Sequence, residues 1–171
     1  ENHGKGWVVK QGMLDAVGDI RLFMDSDNST NIREIEKFLP YFEKGAQLVI
    51  GSRRIAGANV AKDQNRVREF LGWCFRTIVH IIVPVGVTDT QCGFKAMTSR
   101  AAETIFPKQT IYRWAFDVEI LSLARSAKFT ISEVPITWVN DEASHVKLLG
   151  MINMLLEIIR IRINLWTGIY K

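Results

Sequence analysis

The segment that most constrains this chain is Ile20-Arg21-Leu22-Phe23-Met24, followed at once by Asp25-Ser26-Asp27 and then by Asn28-Ser29-Thr30. A short apolar run bounded by turn formers reads as a strand, and Asn28–Thr30 reads as a helix start. Alternation along an extended segment points residues i and i+2 the same way, so Asp25 and Asp27 would stand side by side. Like charges held together are costly unless a cation joins them, and carboxylate oxygens suit Mg²⁺ or Mn²⁺. Such an ion implies a phosphate-bearing ligand. Asp and Ser are also ordinary turn residues, so a solvated surface turn is the competing reading.

The surrounding pattern gives the strand a place in a sheet. Helical periodicity runs from about Trp7 to Ala16, before Ile20–Met24. It resumes over Ile32–Phe42, with Ile32, Ile35, Phe38, Leu39 and Phe42 on one face, and a second strand is predicted over Gln47–Gly51. This β-α-β alternation predicts an α/β fold with a parallel sheet and crossover helices, in which ligands gather beyond the carboxyl ends of strands. Asp25–Asp27 and Ser52-Arg53-Arg54 both fall at that edge. Further on, Ile55–Asn65 reads as a loop, Arg66–Ile82 as a helix, and the stretch from Arg113 as the approach to an apolar helix ending near Ala127. Asp117 and Glu119 lie near the start of that helix, where its dipole favours carboxylates whether or not they do chemistry.

With 171 residues, 47% of them hydrophobic, the chain can bury its own core, and it reads as one domain over residues 1–171. The opening Glu1 and the loop-like Asn2-His3-Gly4-Lys5-Gly6 read as the middle of a larger protein, truncated at its amino end. A net charge of +4 suits an anionic substrate or an acidic membrane surface, and no aromatic-and-basic nucleic-acid motif accompanies it. Two cysteines, Cys74 in an apolar segment and Cys92 in a polar one, argue against a disulfide framework or a zinc site and for a reducing setting. The Arg66–Ile82 and Leu148–Tyr170 segments carry broad apolar faces with Arg and Trp at their margins. They suit amphipathic helices in a membrane interface rather than spans, burial against the sheet or in a homo-oligomer being the alternative.

Six segments, in order, carry a resemblance. They are Asn2-His3-Gly4-Lys5-Gly6, Asp25-Ser26-Asp27, Gly51-Ser52-Arg53, Asp89-Thr90-Gln91-Cys92-Gly93-Phe94-Lys95, Arg113-Trp114-Ala115-Phe116-Asp117-Val118-Glu119 and Ile158-Ile159-Arg160-Ile161-Arg162. Together they resemble the glycosyltransferase family 2 enzymes that move a sugar from a nucleotide sugar to a polyprenyl or dolichyl phosphate. The likeness is to the dolichyl-phosphate β-glucosyltransferase branch and, more distantly, to dolichol-phosphate mannose synthase. It implies a GT-A (Rossmann-like) fold, N-terminally truncated, because the strands that hold the base and ribose in such enzymes have no counterpart here.

The resemblance also implies roles. Asp25 and Asp27 would reach the nucleotide diphosphate through Mg²⁺ or Mn²⁺, with Lys5 on the nucleotide side. Arg53, Arg68, Lys95 and His145 would meet the acceptor phosphate, His145 standing where the family commonly has Lys. Asp89, Asp117 or Glu119 would orient the sugar, or act as a base if the acceptor were a hydroxyl, Asp117 first, and Gln91 and Trp114 belong to the same substrate-binding motifs. The implied reaction is inverting transfer of a hexose to the lipid phosphate at the cytosolic membrane face, with UDP-glucose the first donor and GDP-mannose the second. The implied membrane is the plasma membrane in a prokaryote or the endoplasmic reticulum in a eukaryote. Two other readings compete: a phosphohydrolase of the haloacid dehalogenase type, whose nucleophile motif is also Asp-x-Asp after an apolar strand, and a non-catalytic membrane- or partner-binding module.

Overall fold

The computed structural model describes residues 1–60, 66–139 and 148–170. The chain runs through α1 (Lys5–Asp15), β1 (Ile20–Met24), a 3₁₀ segment (Ile32–Lys37), α2 (Leu39–Glu43), β2 (Leu48–Ser52) and β3 (Asn59–Val60). It continues through α3 (Arg66–Ile82), β4 (Phe94–Thr98), α4 (Ser99–Ile105), α5 (Phe116–Ser126), β5 (Ile131–Pro135), β6 (Thr137–Trp138) and α6 (Leu148–Thr167).

The main sheet has the order β1-β4-β2-β5. β1 and β2 point the same way, as the β-α-β pattern predicts, but β4 lies between them and is antiparallel to both. It sets Lys95 opposite Phe23 on one side and Ile50 on the other. β5 pairs with β2 in parallel. The expected parallel sheet is therefore corrected to a mixed one. The reason lies in Phe94-Lys95-Ala96-Met97-Thr98, where a lysine interrupts what should be a near-continuous apolar run in a strand covered on both faces. A short parallel ladder, β3 with β6, stands apart from the main sheet.

Alternation divides the core into two layers. Leu48, Ile50 and Met97 join one cluster with Phe106, Phe116, Ile120, Leu121, Ile158 and Ile161, placing α4, α5 and α6 on that face. Val49, Phe94, Ala96 and Val134 join another with Phe38 and the partly buried Ile35 and Phe42. Phe38 and Phe94 meet edge-on with centroids 5.3 Å apart. Full burial of each contributes about 1.5–3 kcal/mol. The predicted Ile32–Phe42 helix is broken at Phe38, because Pro40 lacks the N–H that a continuous helix would pair with the Glu36 carbonyl. As a result Ile32 and Leu39, expected on the buried face, are exposed.

Glu119 has an interior role. Its carboxylate is fully buried and accepts hydrogen bonds from Thr110 N and Oγ1, Ile111 N and the Tyr170 hydroxyl, at 2.9, 2.7, 2.8 and 2.6 Å. Asn164 Nδ2 completes the network by donating to Thr110 Oγ1 and to the Tyr170 oxygen. Expected to contact substrate, the Glu119 carboxylate is instead enclosed here, and its hydrogen bonds tie α5 to the residues after α6. Burial first, then the Glu119 carboxylate, push the Tyr170 hydroxyl well above the ordinary phenol range. Glu119→Ala should lower stability by about 3 kcal/mol or more, since it strands buried donors and leaves a cavity. The urea midpoint read by tryptophan fluorescence checks this.

Candidate active site

One edge of the main sheet gathers most of the expected residues, because the carboxyl ends of β1 and β2 and the amino end of the antiparallel β4 all lie there. Asp25 leaves β1 with its N–H bonded to the Gly93 carbonyl at 2.8 Å, which carries the β1–β4 ladder past the strand ends. Its carboxyl group rests on the Cα of Gly93, where an added Cβ would overlap it. Any larger residue at that position would make the Asp25 carboxyl group move. Asp27 Oδ1 accepts the Ser29 N–H at 2.9 Å, a local turn that orients this carboxylate.

Lys5 forms an ion pair with Asp25 Oδ1, and its ammonium lies 5.7 Å from the centroid of the Phe116 ring. It reaches that point because Gly6 packs directly on Phe116, where a Cβ would come to 2.7 Å, while Gly6 N donates to the Tyr112 carbonyl at 2.8 Å. Burial alone would lower the Lys5 pKa, but the charges of Asp117, Asp25 and Asp27 outweigh it and the net shift is upward. Lys5 is therefore a cation throughout the neutral range.

Arg53, just beyond β2, grips Asp89 through Nε at 2.7 Å and the second guanidinium nitrogen at 2.8 Å, with its own N–H donating at 3.0 Å. Its guanidinium also lies 5.3 Å from the Trp138 ring centroid. Glu133 of β5 receives the N–H groups of Thr88 and Asp89, fixing the loop that presents Asp89. Burial would raise the Asp89 carboxyl, yet the hydrogen bonds and charge of Arg53 hold it below the usual carboxylate range. Burial likewise pushes the neighbouring Cys92 thiol up to about 11, so it stays protonated.

Behind this edge, Lys95 is fully buried and donates to Asp117 Oδ1 and to the Cys92 carbonyl, each at 2.5 Å. The ammonium of Lys95, expected to contact an acceptor phosphate, is enclosed by these partners. Asp117 is only 4% exposed, and burial pushes its carboxyl up against the pull of Lys95 and Lys5. Gln91 Nε2 lies 3.4 Å from Met154 Sδ of α6. Trp114 is half exposed on the loop before α5, beside Ala115, whose N–H donates to Glu157 at 3.0 Å. Arg68 is placed by its backbone alone, in α3, and His145, like the Asp141-Glu142 pair, lies outside the described residues.

The donor chemistry suits a divalent ion shared with a ligand. Among the described residues no three His, Cys, Asp or Glu side chains gather closely enough to enclose a metal. Two carboxylates with open positions around them are the arrangement by which Mg²⁺ is held together with substrate phosphates. The glycine cradle under Asp25 leaves its carboxylate oxygens at the outer edge of the sheet.

Residues 1–106 match the family described as glycosyl transferase family 2. The chain belongs to that family. Among its family 2 relatives, a dolichyl-phosphate beta-glucosyltransferase of Trichomonas vaginalis is 39% identical over 98% of this chain and 52% of its own length. An enzyme of the same name from Dictyostelium discoideum is 36% identical over 100% of this chain and 54% of its own. The chain thus spans about half the length of the curated relatives it matches. Glucosyl-3-phosphoglycerate synthase from Mycobacterium tuberculosis, solved with Mn²⁺, UDP-glucose and phosphoglyceric acid, superposes with a TM-score of 0.64 at 17% identity, over 94% of this chain and 54% of that one. Mannosyl-3-phosphoglycerate synthase from Rubrobacter xylanophilus gives 0.63 at 19% identity, over 97% and 52%. These likenesses give the chain the GT-A fold, and family membership sets aside the haloacid dehalogenase reading.

Several residues of the site escaped sequence reasoning. Phe116 beneath Lys5 and Gly93 beneath Asp25 stood inside motifs without a stated role, and Glu133 and Trp138 carried no signal beyond strand alternation. A pH test follows from the Asp89–Arg53 pair. A carboxyl depressed in the folded state contributes stability above its unfolded value near ~4, and that contribution is lost as pH falls through the folded value. Acid titration of the folded chain should therefore show stability falling below about pH 4. Asp89→Asn should be less stable at neutrality but lose less on acidification, as read by urea midpoints across pH.

Proposed function

We propose that this chain belongs to a metal-dependent, inverting hexosyltransferase that moves glucose from UDP-glucose to dolichyl phosphate at the cytosolic face of the endoplasmic reticulum membrane. The observation that carries this reading is the placement of Asp25, Asp27 and Lys5 at the open end of β1 in a family 2 fold. The names of the Trichomonas and Dictyostelium relatives support the glucosyl donor and the dolichyl phosphate acceptor over GDP-mannose and other lipids. The Mn²⁺ and UDP-glucose in the mycobacterial synthase support the cofactor and the nucleotide.

An acceptor phosphate is already anionic, so it needs positioning more than deprotonation. One of its oxygens forms a bond to the anomeric carbon while the bond from that carbon to the diphosphate oxygen breaks on the opposite face. UDP leaves and the configuration inverts. Bound by Asp25 and Asp27, a divalent ion would stabilise the negative charge of the departing diphosphate. Lys5, protonated at neutral pH, adds a second positive charge beside Asp25. Arg53, immobilised by Asp89 and backed by Trp138, presents a fixed cation on the acceptor side, where Arg68 and His145 are further candidates. Trp114 offers an exposed aromatic face for the sugar or the lipid, and Gln91, beside Met154 of α6, is a further candidate.

Asp25→Asn and Asp27→Asn should each lower turnover by about a hundredfold or more, since each removes charge stabilisation at the leaving group. Their circular dichroism should match the parent. Undiminished transfer of labelled glucose in both variants would remove this assignment.

The membrane reading rests on α3 and α6. Among the described residues no helix is long and apolar enough to cross a membrane. Yet Ile81 of α3 and Ile152, Leu156, Ile159, Ile163 and Trp166 of α6 are exposed, and Arg162 stacks 4.7 Å from the Trp166 ring centroid. Apolar side chains with a cation at their margin suit an anionic membrane interface. Phe75 is not part of this face, since it packs against the core. Replacing Ile81, Ile159 and Trp166 with Ser should release the chain from vesicles containing anionic lipid without lowering its melting temperature. Flotation reads the binding.

A further inference from the structure

Asp117 and Lys95 were expected to meet substrate, but both are buried behind the sheet edge, and what they touch points to another role. Lys95 Nζ is shared between Asp117 Oδ1 and the Cys92 carbonyl, at 2.5 Å each. That carbonyl belongs to the peptide that begins Gly93. The Gly93 carbonyl accepts the Asp25 N–H at 2.8 Å, and its Cα is the surface on which the Asp25 carboxyl group rests. Asp117, Lys95, the Cys92–Gly93 peptide and Asp25 therefore form one continuous line from the first turn of α5 to the end of β1. Lys95 is held from the sides as well, opposite Phe23 and Ile50 in the ladder and 5.7 Å from the Phe23 ring centroid.

We propose that Asp117 and Lys95 are positioning residues for Asp25, setting the height of the Cys92–Gly93 peptide and through it the direction of the metal-binding carboxylate. The proposal rests on the metal-site reading given above. A buried ion pair contributes little net stability by itself, because desolvation offsets the attraction. What this pair supplies is a fixed donor for one backbone carbonyl, at the point where a shift of a few tenths of an ångström passes directly to Asp25. Partners one step removed from a metal typically change its affinity by about 10–100-fold. The same placement argues against Asp117 as a base, since its bonded oxygen faces the interior ammonium and an acceptor phosphate has no proton that must be removed.

The test measures Mn²⁺ binding in the presence of UDP by electron paramagnetic resonance, with melting temperature as the control for folding. Removing one member of the pair would leave a buried charge alone, so the informative variant removes both, Lys95→Met with Asp117→Leu. Gly93→Ala attacks the same line from the other end and leaves the pair intact. Both variants are expected to fold and to weaken Mn²⁺ binding about 10–100-fold. In an Asp25→Asn background the pair replacement is expected to add no further loss, the non-additivity of groups acting through one another. Parental Mn²⁺ affinity in the folded pair variant would overturn the positioning role and leave the metal site standing. If that variant does not fold, parental affinity in Gly93→Ala overturns the role by itself. An Asp117→Asn chain that loses turnover at unchanged Mn²⁺ affinity would also overturn it, marking Asp117 as catalytic. The absence of any Asp25-dependent Mn²⁺ binding in the parent would overturn the role and the metal site together.

Discussion

The antiparallel insertion of β4 between β1 and β2 is the constraint on which this structure depends. Two strands running the same way bring their carboxyl ends to one edge, and a third running against them brings its amino end to that same edge. Asp25, Arg53 and Gly93 therefore come to one sheet edge although they belong to three separated parts of the sequence. Had β1 and β2 paired directly, Asp25 would lack the Gly93 carbonyl and the glycine surface that orients it. The hydrogen bonds of β4 thus define the site as much as they hold the sheet.

The electrostatics of the edge follow from that convergence. Asp25, Asp27, Asp89 and Asp117 are like charges brought to one region, and Lys5, Arg53 and Lys95 pair with three of them, Asp25, Asp89 and Asp117, at different burial. The outermost pair, Lys5 with Asp25, is partly open, whereas Lys95 and Asp117 are closed off. An incoming anion or cation can exchange with the outer pair at low cost, while the inner pair keeps its geometry. This gradation lets one cluster contain both replaceable and permanent contacts.

Much of this was legible in the sequence. The strand before Asp25, the extents of α3 and α5, and the sheet edge shared by Asp25 and Arg53 follow from periodicity and turn chemistry, which are local. The rest depends on tertiary contacts. The strand identity of Phe94–Thr98 is hidden by Lys95, whose burial is tolerated only because Asp117 and the Cys92 carbonyl accept its hydrogen bonds. Glu119, near the start of an apolar helix and the last residue of a recognisable motif, has the pattern of a site residue. Its role in the core depends on Thr110, Ile111 and Tyr170, and no spacing rule connects residue 170 to residue 119. Pro40 was visible throughout, and the break at Phe38 follows from it by elementary geometry.

The Glu119 network also bears on how the chain assembles in time. Lys5 is seated by the carbonyl of Tyr112, and Gln109 donates to both Gly6 and Ile111. That loop is in turn closed by Glu119 and Tyr170. Contacts of such long sequence separation form slowly, and a chain emerging from the ribosome lacks its last partners until synthesis has passed them. The Lys5–Asp25 pair thus rests on a loop closed by residue 170, so the geometry of this edge depends on contacts between distant parts of the chain.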